Sequence, residues 1–348
     1  MKVSVTCMNS YADPAVMRRA LAENYLEREA WDPTVGLRSI DEALRLAALS
    51  DELGFDFVSV SEHHYTGTMT NPNPAVTAAA LTQVVKRAGI GLFGPLASLN
   101  NPVRLAEEFA MIDQFSGGRL TAMPLRGTPN EFPFYNVPEE ETTGRTREAM
   151  LLIKKALTEP RPFAWKGEYF DFPIVSVWPG PTQLPHPPLF GSANSPDSAV
   201  FAAEHGFGAA CSYFGPLRVA ELMELYRQEC AKHGWTPRAD QMLFRAFCVV
   251  GQDERHAQDL ARRFDGSHTG DEEWLPTNAR DAGFAFGLLQ FQGDPDTLVE
   301  QITAFHETTG VGVLDLSFNF GQFTYEETAD QMRLFAAKVL PRIKHIGA

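Results

Sequence analysis

Residues 89–127 read GIGLFGPLASLNNPVRLAEEFAMIDQFSGGRLTAMPLRG. The run Ile90–Ala97 is almost continuously apolar, as expected of a strand buried on both faces. Pro102–Phe115 follows with the spacing of an amphipathic helix, and Leu120–Leu125 is a second apolar strand that ends on the charged Arg126. Two such strands joined through a helix pair in parallel by a right-handed crossover.

The same unit recurs along the chain. Candidate strands are Lys2–Cys7, Phe55–Ser61, Ile90–Ala97, Leu120–Leu125, Pro188–Ser192, Gly208–Phe214, Met242–Val250 and Val313–Phe320. The helical segments are Leu37–Leu53, Ala75–Arg87, Pro102–Phe115, Arg145–Thr158, Pro196–His205, Leu217–His233, Arg255–Phe264 with Thr297–Thr309, and Glu326–Lys344. Alternation repeated this often implies an α/β fold, a single (β/α)8 TIM barrel. Three stretches interrupt the count: 8–36, the Pro-rich 159–187, and the Gly/Asp-rich 265–294. They read as loops decorating one domain over 1–348, the last a candidate mobile lid.

Composition narrows the function. Of 348 residues, 44 are acidic and 30 basic, a formal charge of −14. This argues against nucleic acid or an anionic membrane surface as partner, since both require clustered Lys and Arg. One anionic cofactor is compatible, because it needs only a local cation or a group of N–H donors. No apolar run approaches the ~18 residues of a membrane span, and no signal peptide or N-x-S/T sequon is visible. Cys7, Cys211, Cys230 and Cys248 lie far apart, so neither a disulfide framework nor a zinc site is expected. The expected location is the cytoplasm.

Three motifs carry candidate chemistry. Gly89–Gly94 formally matches G-x-G-x-x-G, but its glycines sit inside a strand rather than between strand and helix, which excludes a Rossmann site. Phe93 and Gly94 instead suit a strand against which a flat ring can lie. Ser61–His64 (SEHH) ends the second strand, where barrel catalytic groups sit. Strand alternation sends His63 and His64 to opposite faces, so they do not share a metal, and no metal is expected. One imidazole in the mouth is a candidate general base. After the fifth strand, Asn194-Ser195-Pro196-Asp197 places Ser195 at an N-cap and exposes orphan N–H groups, with Ser198 one turn in. Arg126, one barrel position away, suits bidentate phosphate recognition. Phenylalanines near the strand ends, among them Phe132, Phe134, Phe214, Phe318, Phe320 and Phe323, would line an apolar substrate pocket.

Asn101–Leu120 with the strand ending at Arg126-Gly127, and Glu62–Ala80 (EHHYTGTMTNPNPAVTAAA), resemble the bacterial luciferase-like flavin-dependent monooxygenases. GDPDTLVEQI and MRLFAAKVLP extend the resemblance over nearly the whole chain. The resemblance implies a (β/α)8 barrel that binds reduced FMN from a separate reductase. It implies reaction with O2 to a C4a-peroxyflavin and oxygenation of a small apolar organic substrate. His63 matches the family's active-site histidine. Arg126, Asn194, Ser195 and Ser198 match positions that hold the FMN phosphate. Phe93–Gly94 falls where the family often has a non-proline cis peptide beneath the isoalloxazine. Leu125 stands where luciferase has a reactive cysteine near the flavin, and Asn194 replaces a glutamate; the first speaks against light emission. A homodimer through the second and third helices is implied as well. Related barrels use F420 as a hydride carrier, so an F420-dependent oxidoreductase is the alternative. A third reading is a non-catalytic flavin-binding partner subunit, against which His63 and Arg126 speak.

Overall fold

Helices open at the mouth of a barrel because the sequence repeats one start signal. Asp32-Pro33, Asn73-Pro74, Asn101-Pro102, Ser195-Pro196 and Asp294-Pro295 each place a polar N-cap, whose side chain accepts a backbone N–H of the first turn, before a proline. Proline at that position loses no hydrogen bond, since its N–H would have been an orphan. The structure, a computed structural model, describes residues 1–7, 11, 13, 16, 28–64, 71–266 and 289–347.

The strands are β1 (Lys2–Thr6), β2 (Phe57–Val60), β3 (Gly89–Leu96), β4 (Leu120–Leu125), β5 (Phe163–Lys166), β6 (Asp171–Val175), β7 (Phe190–Ser192), β8 (Gly208–Ser212), β9 (Met242–Val250), β10 (Phe291–Gly293) and β11 (Val313–Ser317). Their partner helices are α1 (Pro33–Leu53), α2 (Pro74–Val84), α3 (Pro102–Ser116), α4 (Glu139–Thr158), α5 (Pro196–Glu204), α6 (Pro216–Lys232), α7 (Glu254–Gly266), α8 (Pro295–Thr309), α9 (Tyr325–Lys338) and α10 (Leu340–Ile343). Parallel pairing runs β4-β3-β2-β1-β11-β9-β8-β7. The ring closes where Ala122 of β4 bridges Leu189 and donates its N–H to Pro188 O at 2.9 Å. All eight expected strands are therefore present, and the (β/α)8 barrel is the fold.

Three clusters of buried side chains hold it, one of them built on Phe247, Phe264, Phe320 and Phe323. The larger lies between barrel and helices, with Val3, Val58, Ile90, Phe109, Ile153 and Phe244 among its residues. Burying each such side chain is worth about 1.5–3 kcal/mol. A smaller cluster inside the barrel includes Phe93, Met123, Phe190 and Leu243.

The structure departs from the expectations in four places. Residues 163–175 are not a loop: β5 and β6 pair as an antiparallel hairpin. Glu148 of α4 fastens its turn, accepting the N–H groups of Glu168, Tyr169 and Phe170 and the Trp165 Nε1–H. At the other end of the chain, Glu326–Lys344 is two helices, α9 and α10, divided at Val339 just before Pro341, which cannot continue the ladder. A short β10 pairs with β9 beside the main ring. Lastly, Phe93–Gly94 is a trans peptide; the cis bonds among the described residues are Trp178–Pro179 and Leu184–Pro185. β3 turns there by an irregularity between Phe93 and Leu96, with Gly94 at φ 135°, a conformation open to glycine without a cis bond. Most of the expected lid over 265–294, residues 267–288, lies outside the described residues.

Candidate active site

Beyond the end of β2, Ser61–His64 crosses the barrel mouth, held by two bonds to Asn71. Its amide donates to Ser61 O at 2.6 Å, and its carbonyl accepts the His63 N–H at 3.2 Å. The two histidines then part. His63 keeps 32% of its side chain exposed and sets Nδ1 3.3 Å from Glu131 Oε1. Its Nε2 has no partner among the described residues. His64 is buried: its Nε2 lies 2.8 Å from Glu62 Oε1, and the Tyr135 hydroxyl lies 3.0 Å from its Nδ1.

The carboxylates behind them are buried and fully engaged. Glu62 accepts from Leu96 N at 2.9 Å and from the Asn100 amide at 3.2 Å besides His64. Glu131, with no exposed surface, accepts the His64 N–H at 3.2 Å and both the N–H and hydroxyl of Thr128 at 2.8 Å. Burial alone would push its carboxyl up, but His63 and Thr128 outweigh burial and hold it below the ordinary carboxylate range.

A second corner of the mouth is built differently. Arg126 follows the last residue of β4, and four residues on from the Leu189 bridge along the neighbouring strand stands Ala193, just before Asn194 and the start of α5. The Arg126 carbonyl accepts from Ser98 Oγ at 2.5 Å, while its guanidinium lies 5.5 Å from the Phe132 ring centroid. No hydrogen-bond or ion-pair partner for that guanidinium occurs among the described residues. Burial pulls its pKa below the ordinary arginine value, against the distant pull of Glu139. A guanidinium open to the mouth and without a protein acceptor among the described residues suits an anionic ligand.

At α5, Ser195 and Ser198 form a reciprocal capping box: Ser198 N–H donates to Ser195 Oγ at 3.3 Å and Ser195 N–H to Ser198 Oγ at 3.0 Å. Asn194 turns away to β8, its amide donating to Ser212 Oγ at 3.0 Å and its Oδ1 accepting the Ser212 N–H at 3.0 Å. Asp197 pairs with Arg147. Ser198 Oγ also donates to Ser195 O at 2.9 Å, so a phosphate at this turn would gain that hydroxyl only by displacing the bond. Leu125 is half-buried against the inner cluster. Of the expected pocket phenylalanines, Phe132, Phe214, Phe318, Phe320 and Phe323 are buried, and Phe134 is exposed.

Sequence reasoning missed Glu131, which sits in the unremarkable loop TPNEF, and a buried ion pair beneath the mouth. Arg245 of β9 donates from Nε to Asp315 Oδ2 of β11 at 2.7 Å, from Nη1 to Ser61 Oγ at 2.8 Å and from Nη2 to Phe93 O at 3.3 Å. Ser59 donates to the other Asp315 oxygen at 2.6 Å. The pair ties together the strands that carry Gly94 and His63. A lone Arg in LFRAF and a lone Asp in VLDLS, both within apolar strands, were the available signal, since buried charges must pair.

A sequence model of the luciferase-like monooxygenases matches residues 22–311. The alkanal monooxygenase alpha chain of Photobacterium leiognathi is 24% identical, over 99% of both chains. The oxygenase component of a flavin-dependent trigonelline monooxygenase from Acinetobacter baylyi is 29% identical over 62% of this chain and 60% of its own. Among solved structures, monooxygenase RslO1 from Streptomyces bottropensis has a TM-score of 0.81 at 26% identity, covering 98% of this chain and 99% of that one. The oxygenating constituent of 3,6-diketocamphane monooxygenase from Pseudomonas putida, in complex with FMN, has a TM-score of 0.74 at 19% identity over 98% of both chains, which bears on the fold. No helix among the described residues is long and apolar enough to cross a membrane.

Proposed function

The chain belongs to the luciferase-like monooxygenase family, a family of oxidoreductases, and from that premise we propose that it binds reduced FMN and transfers one oxygen atom of O2 to an apolar organic substrate. The observation that carries the cofactor reading is the Arg126 guanidinium, which meets no described acceptor, just past the end of β4, the strand that neighbours the one leading into α5. Arg126 would hold the FMN phosphate as a charge-assisted fork, with the Ser195 and Ser198 hydroxyls adding donors. Gly94 presents no side chain where the ring would lie; a Cβ there would come 3.4 Å from Ser61 and Glu62 atoms.

Reduced FMN, when bound, supplies the electrons that let O2 react with an organic carbon. The protein's part is to bind, orient and move a proton. His63 does the last, because its Nε2 is the ring nitrogen left free at the mouth. A separate reductase supplies the reduced flavin, as the naming of the trigonelline enzyme's oxygenase component suggests by analogy. The active form is a homodimer through α2 and α3, whose surfaces expose Val76, Met111 and Phe115.

The test is oxygen labelling. Protein supplied with reduced FMN and ¹⁸O2 is incubated with a panel of apolar aldehydes, ketones and aromatics, in parallel with reduced F420 under nitrogen. Incorporation of one labelled atom with FMN supports the proposal. Substrate turnover with F420 and no O2, and none with FMN, would replace it with the hydride-transfer reading.

A further inference from the structure

We infer that Glu131 is a positioning residue for His63, fixing the imidazole proton on Nδ1 and leaving Nε2 as the lone pair that faces the mouth. The inference rests on the reading of His63 as the proton-handling group.

Four observations carry it. First, Glu131 has no exposed surface, so no water shares its oxygens with the ring. Second, its other contacts all come from donors: the His64 N–H, the Thr128 N–H and the Thr128 hydroxyl. An ionised carboxylate only accepts, and the carboxyl is held in that form. Third, the ring atom of His63 that faces it is Nδ1, at an ion-pair distance of 3.3 Å, and a carboxylate there favours the hydrogen on that nitrogen. Fourth, His63 Nε2 has no competing partner among the described residues. A base oriented by a buried carboxylate through its far ring nitrogen is the arrangement that serves nucleophile activation on many unrelated folds.

The neighbouring histidine gives an internal contrast. His64 meets the Glu62 carboxylate through Nε2 and the Tyr135 hydroxyl through Nδ1. Its hydrogen therefore sits on Nε2, and Nδ1 accepts from Tyr135. Two consecutive histidines thus hold opposite tautomers, each set by its own glutamate. His64 is buried and has both ring nitrogens occupied, so it cannot take a proton from a substrate. The carboxylate behind it braces Leu96 and Asn100 instead. The division of labour between the two rings follows from which nitrogen each carboxylate reaches.

The experiment is ¹⁵N NMR of the histidine side chains in the intact protein, without flavin or substrate, at a pH where the rings are neutral. His63→Gln and His64→Gln spectra assign the two rings. The expected result is an Nδ1–H form for His63 and an Nε2–H form for His64. In Glu131→Gln, His63 should lose its fixed Nδ1–H form while His64 keeps its own. With substrate in hand, Glu131→Gln should lower kcat on the order of 10²-fold, within the range for a disturbed general base, at little change in KM. Glu131→Asp should recover part of that loss. An Nε2–H form for His63 in the wild type overturns the inference, as does a Glu131→Gln variant whose His63 spectrum is unchanged. The wild-type spectrum decides even where the variant does not fold. Because the tautomer is read without cofactor, its failure is distinct from a failure of the oxygenase reading.

Discussion

The barrel mouth has two polar corners of opposite character. Around His63, Glu62 and Glu131 are buried carboxylates whose oxygens accept from backbone, side-chain and imidazole donors. Around Arg126, an exposed guanidinium rests near the Phe132 ring and meets no described acceptor. A network whose members satisfy one another holds its groups in one geometry and needs no ligand to complete it. A cation that no protein acceptor engages is free to take an anion as its partner. The first corner is suited to orient a reacting group, and the second to bind.

Substitutions at each corner can break or sharpen that contrast. The largest effect belongs to His63→Ala, expected to lower turnover about 10²–10⁴-fold while leaving flavin affinity within a few-fold, read by steady-state kinetics beside a binding titration. Full turnover in that variant would remove His63 from the chemistry. Next comes Arg245→Met, which strands Asp315 in the barrel with no exposed surface. Breaking such a pair costs roughly 3–5 kcal/mol, to be measured by denaturant unfolding. The double variant Arg245→Met/Asp315→Leu should regain most of that stability, and an equally unstable double variant would contradict the pairing account.

Smaller changes concern the binding corner. Ser195→Ala removes the N-cap acceptor of α5 and one half of its capping box, a loss of about 1 kcal/mol in unfolding free energy. The smallest effect is on Arg126→Met. No partner is orphaned by it, so its thermal midpoint should match or exceed that of the wild type; a clear drop would reveal a structural role and blur the distinction between the corners.

The sequence carried the barrel because its strands are long apolar runs separated by helical spacing, a signal that survives without tertiary knowledge. The β5–β6 hairpin escaped because its order depends on Glu148, twenty residues before the turn it fastens, and because flanking prolines mimic a loop. Arg126 and His63 stood out as polar residues at the ends of apolar strands. Glu131 did not, since a single Glu in a turn acquires its role only when folding brings it under β2's extension. Asn194 matched a phosphate position in the sequence, yet its side chain is spent on Ser212 across the β7–β8 junction. Local pattern gives an element and its ends; which partner a polar side chain meets is decided by register between distant segments.

The central claim is that Arg126 waits for the phosphate of a flavin. Its most direct test is an equilibrium titration of FMN and riboflavin, both reduced, into the wild type and into Arg126→Ala. The phosphate is the only difference between the ligands, and one charge-assisted contact is worth about 1.5–3 kcal/mol. FMN should bind the wild type more tightly than riboflavin, and Arg126→Ala should erase most of that advantage while leaving riboflavin affinity nearly unchanged. Equal binding of the two flavins by the wild type, or an FMN advantage that persists without Arg126, would contradict the account.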